Sequence, residues 1–312
     1  MDITALISAL PGNVAQGLIW GIMALGVFLT FKILDFADLT VDGSLATGGA
    51  VTVMLILSGW SAPAALVAAF AAGILAGLAT GLLHTLLGIP DILSGILLQL
   101  ALYSINLNIM GGAANMALPV SQYQLLVSLR YIVPTIMVVA GIVIVLISVM
   151  YWYFGTEQGS AIRATGTNPA MSRAQGINID LMKVIALALS NGMVAFSGGL
   201  LSQYQGFSDI NMGRGAIVIG LAAVIIGEVI GNALFGKRMN FIIRLLFVVF
   251  GAILYYIAIG VVLWLRMPTN NLKMFTAIIV ALFLAVPHLK DKANNSFAKA
   301  GRRGESIHDS AN

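Results

Sequence analysis

The sequence predicts an all-α polytopic membrane protein of about 8–10 transmembrane helices, two of its segments being short or broken and related as an inverted repeat. Three observations predict it. Hydrophobic residues make up 59% of the 312-residue chain and charged residues 9%, against roughly 25% in a soluble domain, so polar side chains cannot cover its surface. Apolar runs long enough to cross a bilayer recur from residue 12 to residue 286. One pattern also occurs twice: Phe36-Ala37-Asp38-Leu39-Thr40-Val41-Asp42-Gly43 and Phe207-Ser208-Asp209-Ile210-Asn211-Met212-Gly213-Arg214-Gly215. Each copy reads aromatic, small, Asp, aliphatic, polar, aliphatic, and each opens a Gly/Ala-rich apolar segment.

In chain order, the first span is 12–34, with Gly17 and Gly21 at a spacing that permits close helix contact. The first special stretch follows, and then an apolar run at 44–57, too short for a comfortable crossing. The span at 62–83 carries Gly73, Gly77 and Gly81 as a packing stripe. After a Gly88-Ile89-Pro90-Asp91 turn comes 92–110, with Gln99, Asn106 and Asn108 inside it, then a polar loop at 111–130. The span at 131–154 ends in Tyr151-Trp152-Tyr153, an interfacial aromatic belt. Residues 155–183 form a long polar segment, followed by spans at 181–201, 216–230 (again short), 241–265 and 272–286. The transmembrane body is thus 1–287, in halves of 12–130 and 131–287, and 288–312 is a basic tail of disordered composition.

Lys and Arg set the orientation. Arg163, Arg173, Lys183, Lys237, Arg238, Arg244 and the five basic residues of the tail fall on one side if the spans alternate, which makes that side cytoplasmic. Arg130, Arg214, Arg266 and Lys273 fall on the other. The two copies of the special stretch then begin from opposite sides, as an inverted repeat requires. The net charge of +4 therefore speaks of topology, not of nucleic acid. With no cysteine there is no disulfide, thiolate nucleophile or Cys-ligated metal, and His84, His288 and His308 form no ligand cluster. No cofactor is expected. The N-terminus lacks a basic leader region and reads as the start of the mature chain. Gly231–Lys237 approaches a P-loop, but Arg238 replaces the hydroxyl and no strand precedes it.

Two regions carry candidate function. In the paired stretches, Phe36, Asp38, Thr40, Asp42, Gly43, Phe207, Asp209, Asn211 and Gly213 are candidates for lining a translocation pathway, since irregular backbone at membrane depth survives only beside a cavity or inside protein. The plainer reading is local: Asp38 or Thr40, and Asp209 or Asn211, cap the helices that follow. In the polar segment, Asn168 suits an N-cap, Pro169 the first helical position and Gly176 a left-handed stop, which predicts a short helix with Met171, Arg173 and Gln175 free for contacts. Such a helix needs something to dock on: the membrane surface or a partner's groove. Glu228 and Arg244 are isolated charges in or near apolar spans.

The loop Arg163-Ala164-Thr165-Gly166-Thr167-Asn168-Pro169…Arg173-Ala174-Gln175-Gly176-Ile177-Asn178 resembles the cytoplasmic loop of bacterial ABC-importer permeases of the branched-chain amino acid and simple-sugar family. Asp35-Phe36-Ala37, and the run from Gly198 through Phe207 to Gly227, resemble further segments of that family. The resemblance implies a permease subunit of the bacterial inner membrane, C-terminus cytoplasmic, paired with a second and often identical copy. It implies two separate ATPases docked on 163–178 (Arg163, Gly166, Asn168, Pro169, Arg173, Gln175, Gly176) and an extracytoplasmic binding protein that delivers the solute. The first stretch departs from the His-Gly-Glu type sequence of branched-chain permeases and is similar to members associated with other amino acids, aromatic ones included. The alternative class is a secondary transporter or channel that works without ATPases, which would also have inverted repeats.

Overall fold

The computed structural model describes residues 3–236 and 239–265, with isolated positions 274, 275, 277, 278, 281 and 285 beyond them. The tail at 288–312, and the span expected at 272–286 but for those positions, lie outside the described residues. Seven described helices are long and apolar enough to cross a membrane, so the chain is an all-α polytopic membrane protein. They are α1 (Ile3–Val27, prolonged by a π-helical turn, Phe28–Ile33), α3 (Ala62–Thr85), α4 (Asp91–Ile109), α5 (Ile132–Phe154), α8 (Ile179–Gln205), α9 (Ala216–Phe235) and α10 (Phe241–Trp264). The helix after the first special stretch, α2 (Val41–Leu57), is shorter. Between α5 and α8 lie α6 (Glu157–Thr167) and α7 (Pro169–Ala174), and a two-stranded ribbon joins β1 (Asn115–Ala117) to β2 (Phe207–Asp209).

Two expectations change. The second segment is not short: α9 runs 20 residues to Phe235 because nothing from Gly231 to Phe235 breaks a helix, and the chain turns only at Gly236, φ +52°. The polar segment holds two helices and not one, because Thr156 caps α6 by accepting the Gly159 N–H at 3.4 Å. Its apolar side, Ile162 with Thr165, is buried.

α1 and α8 form the centre. They touch through hydroxyls that donate across the interface: Ser190 Oγ to the Gly26 carbonyl at 2.8 Å and Ser197 Oγ to the Ile19 carbonyl at 2.7 Å. α1 packs on α9 and α10, while α8 packs on α2 and α3. Exchanging α1, α2 and α3 for α8, α9 and α10 maps each of these pairings onto another, which is the arrangement the sequence echo predicts. Small residues let the backbones approach: Gly17 and Gly21 of α1 face Ile253 and Val249 of α10, and Gly73, Gly77 and Gly81 of α3 face Asn191, Leu187 and Val184 of α8.

The two special stretches leave opposite ends of the bundle. The first begins beside α6, where Gly166 sits against the backbone of Ile33 and Leu34. The second begins at the β-ribbon, where the Leu118 N–H donates to the Gly206 carbonyl at 2.8 Å and the Tyr204 hydroxyl donates to the Gly12 carbonyl at 3.3 Å.

Candidate functional site

The first stretch turns back into the bundle instead of running out of it. The π-helical turn closes with Leu34 N–H donating to Leu29 O, and Asp35 takes a left-handed φ of +56°, tolerable for Asp, to reverse the chain. Phe36 is buried with its ring edge-on to His84, centroids 5.1 Å apart, so it packs and lines no described cavity. Asp38 then reaches Asn191, next to the midpoint of α8: Asn191 Nδ2 donates to Asp38 Oδ2 at 2.7 Å. The Thr40 N–H donates to Asp38 Oδ1 at 2.9 Å, and Ser44 Oγ donates to Asn191 Oδ1 at 2.6 Å. Thr40 Oγ1 lies 2.7 Å from Thr80 Oγ1 of α3. α2 therefore starts in the middle of the bundle, its entry fixed by fully buried, paired polar groups.

The second stretch repeats the local device. Asp209 Oδ1 accepts the N–H of Asn211, two residues on, at 2.7 Å, as Asp38 does for Thr40. Asp209 Oδ2 also accepts from Asn115 Nδ2 at 3.2 Å, while Phe207 and Asn211 are exposed at the ribbon end. Neither Asp209 nor Asn211 caps α9. The cap comes from the other repeat: Asp42 accepts the N–H of Gly215 at 2.8 Å on Oδ2 and that of Ile217 at 2.9 Å on Oδ1. This carboxylate at a helix N-terminus meets donors left free by the first turn. Gly213 permits the meeting, since a Cβ there would strike the Asp42 backbone. The N-termini of α2 and α9 thus come together at one level, joined through Asp42.

Beside that junction is a cavity of about 260 Å³ lined by Asp42, Gly43 and Ala46 of α2, Ile210 and Arg214 of the second stretch, and Gln99, Leu100, Tyr103 and Asn106 of α4. Of the nine predicted pathway residues it includes Asp42 and Gly43; Phe36, Asp38, Thr40 and Gly213 are packed inside protein, and Phe207, Asp209 and Asn211 lie towards the ribbon. The α4 wall was missed. Its signal is in the sequence: Gln99, Tyr103 and Asn106 recur at helical spacing on one face of an otherwise apolar span. Arg214, which the charge count sets on the side opposite the tail, stands just before the start of α9. Glu228 is not isolated, being 3.0 Å from Lys32 Nζ.

At the α6–α7 end the expected short helix is present. Asn168 Oδ1 accepts the Met171 N–H at 3.0 Å, Pro169 takes the first turn, and Gly176 adopts φ +83°. Arg173 and Gln175 are exposed, and Met171 is 59% exposed. Arg163, though exposed, and Gly166 are tied to the bundle instead: Arg163 Nη2 donates to the Phe154 carbonyl at 2.6 Å with its guanidinium over the Phe241 ring, and Gly166 lies on Ile33. These two fasten α6 to the bundle, and α7 projects from it.

Comparison with known proteins agrees with this architecture. The family model described as "Branched-chain amino acid transport system / permease component" matches residues 12–287. The tyrosine transport system permease protein of Clostridioides difficile (strain R20291) is 37% identical over 292 residues, 94% of this chain and 96% of that protein. The galactofuranose transporter permease protein YtfT of Escherichia coli (strain K12) is 28% identical over 253 residues, 80% of this chain and 71% of that protein. The autoinducer 2 import system permease protein LsrC of Escherichia coli (strain K12 / DH10B) is 30% identical over 194 residues, 62% of this chain and 56% of that protein. No solved structure matches.

Proposed function

Because the chain belongs to the branched-chain amino acid transport system permease family, whose members are permease subunits of ABC importers, we propose that it moves an amino acid or related small polar solute inward, driven by two separate ATPases. The observation that carries this reading is the mechanical line from α7 to the cavity. α7 is exposed except for Ser172, and too short to hold its shape without docking. α6 behind it rests through Gly166 on Ile33 and Leu34, the residues from which the first stretch re-enters. That stretch leads through Asp38 to Asp42 and the start of α9. ATP-driven closure of the ATPases, with α7 seated in a groove on each, displaces this line and switches the opening from outside to inside.

The pathway runs past the cavity and between two copies of the chain, as a homodimer. An exposed guanidinium in the middle of a bundle facing lipid would cost roughly 2.5–3.5 kcal/mol on insertion scales, so Arg214 borders water or protein. An extracytoplasmic binding protein delivers the solute, lipid covers the outer faces of α4 and α5, and the α6–α7 end is cytoplasmic with the C-terminus on the same side, in a bacterial inner membrane. A secondary transporter has one observation in its favour, the buried carboxylate of Asp38, and would transport in liposomes without ATP.

The test is co-purification with the cognate ATPase. Met171→Asp, which changes an exposed side chain, and Ala174→Pro, which breaks α7, are both expected to abolish ATPase binding and ATP-dependent uptake while the permease remains folded. Normal binding and uptake in both variants would remove the coupling role.

A further inference from the structure

The half-open cavity at the start of α9 holds an unusual set of groups for a membrane bundle. Arg214 is exposed into it, and its guanidinium has no ion-pair or hydrogen-bond partner among the described residues. Asp42 presents the opposite charge to the same cavity. Each of its oxygens accepts one backbone N–H, which fixes the carboxylate in place and leaves it further acceptor capacity. Asn106 is 1% exposed, lines the cavity, and its Oδ1 has no hydrogen-bond partner. Buried polar atoms are ordinarily paired, so this orphaned acceptor beside the cavity is a group that a donor from outside the protein would satisfy once the amide turns towards it. Tyr103 and Ile210 add an apolar wall.

We propose that this cavity is a binding subsite for a zwitterionic α-amino acid, with Arg214 taking the carboxylate, Asp42 and Asn106 Oδ1 taking the ammonium, and Tyr103 and Ile210 facing the side chain. The chemistry selects the ligand class. A sugar has no use for two opposite formal charges. An anion would be repelled by Asp42, and a simple cation by Arg214. A molecule that carries both charges on groups attached to one carbon satisfies both at once, and a planar carboxylate matches the two-pronged guanidinium. The volume of about 260 Å³ is just below the 300–1,000 Å³ of drug-sized pockets and suits a single small metabolite. Asp42 thereby has two roles: it joins the two repeats and it meets the solute where they join.

The subsite rests on the amino-acid part of the transport reading but not on the ATPase part, and its test uses the permease alone. The full chain is reconstituted in nanodiscs and binding of tritiated L-tyrosine is measured, with L-leucine in a parallel arm. Tyramine, which lacks the carboxylate, and 3-(4-hydroxyphenyl)propionate, which lacks the ammonium, serve as competitors. Saturable binding is expected, with each analogue about tenfold weaker than L-tyrosine, the weight of one charged hydrogen-bond set. Arg214→Gln is expected to erase the preference for L-tyrosine over tyramine, and its side chain makes no bond the fold needs. Asn106→Leu is expected to weaken binding with the melting temperature retained, because it leaves no partner behind. Absence of saturable binding for both amino acids in the unaltered chain, or an undiminished carboxylate preference in Arg214→Gln, overturns the subsite. A failed ATPase co-purification leaves these results untouched.

Discussion

Asn191 shows what a single polar residue does at the centre of this bundle. Its amide accepts from Ser44 and donates to Asp38 and to the Leu187 carbonyl, so one side chain ties α8 to both the re-entrant stretch and α2. Replacing it by Leu strands a carboxylate oxygen of Asp38 and the Ser44 hydroxyl where water does not reach. Asn191→Leu is expected to destabilise the protein by about 1–3 kcal/mol, the penalty for an unpaired buried polar group, read as a lowered melting temperature in detergent. Ser44→Ala, which removes only a donor, should cost less. The sequence marks Asn191 as a polar residue inside an apolar span but does not say what it meets, because Asp38 lies 153 residues away. The same holds for Asp42. Local rules assign it to the first turn of its own helix, where it does lie, yet its hydrogen bonds go to α9. Capping residues are legible from sequence when the cap is local, as with Asn168, and not when another segment supplies it.

At the scale of elements, the helices were legible because apolar length and glycine spacing depend only on nearby residues. The stripes Gly17/Gly21 and Gly73/Gly77/Gly81 both proved to be crossing points. Their weight is testable within one chain. Gly77 of α3 lies against the backbone of Leu187 and Ala188, whereas Gly141 of α5 has nothing within 4 Å of where a Cβ would stand. Gly77→Val is expected to cost about 1–3 kcal/mol or more by forcing α3 and α8 apart. Gly141→Val should stay within about 0.5 kcal/mol, and thermal unfolding of the two variants in the same detergent compares them directly. The misreadings were of two kinds. α9 outruns its expected end at 230 because glycines inside a helix look like its end until one adopts a positive φ, which Gly220, Gly227 and Gly231 do not and Gly236 does. The β-ribbon was unreadable because strands of three residues carry no periodicity, and their pairing joins Met116 to Ser208 across most of the fold.

At the scale of the whole molecule, the inverted repeat decides which face meets which compartment. The two stretches re-enter from opposite ends, so the outside of the cell meets either the β-ribbon or α7. Charge favours the first: Lys32, Arg163, Arg173 and Lys183 gather at the α6–α7 end, whereas Arg130 stands at the other, and basic residues are retained on the cytoplasmic side. Because the chain contains no cysteine, a single introduced thiol reports sidedness without a background. Ala170 is exposed on α7, and Trp60, 54% exposed, follows the C-terminus of α2 at the ribbon end. Neither carries a bond across the bundle, so both positions tolerate the change. In intact spheroplasts a membrane-impermeant maleimide is expected to label Trp60→Cys at once and Ala170→Cys only after the membrane is opened. The reverse pattern would place α7 outside, where no ATP is present to drive a docked ATPase. It would leave the repeat intact while removing the proposed docking of an ATPase on α7.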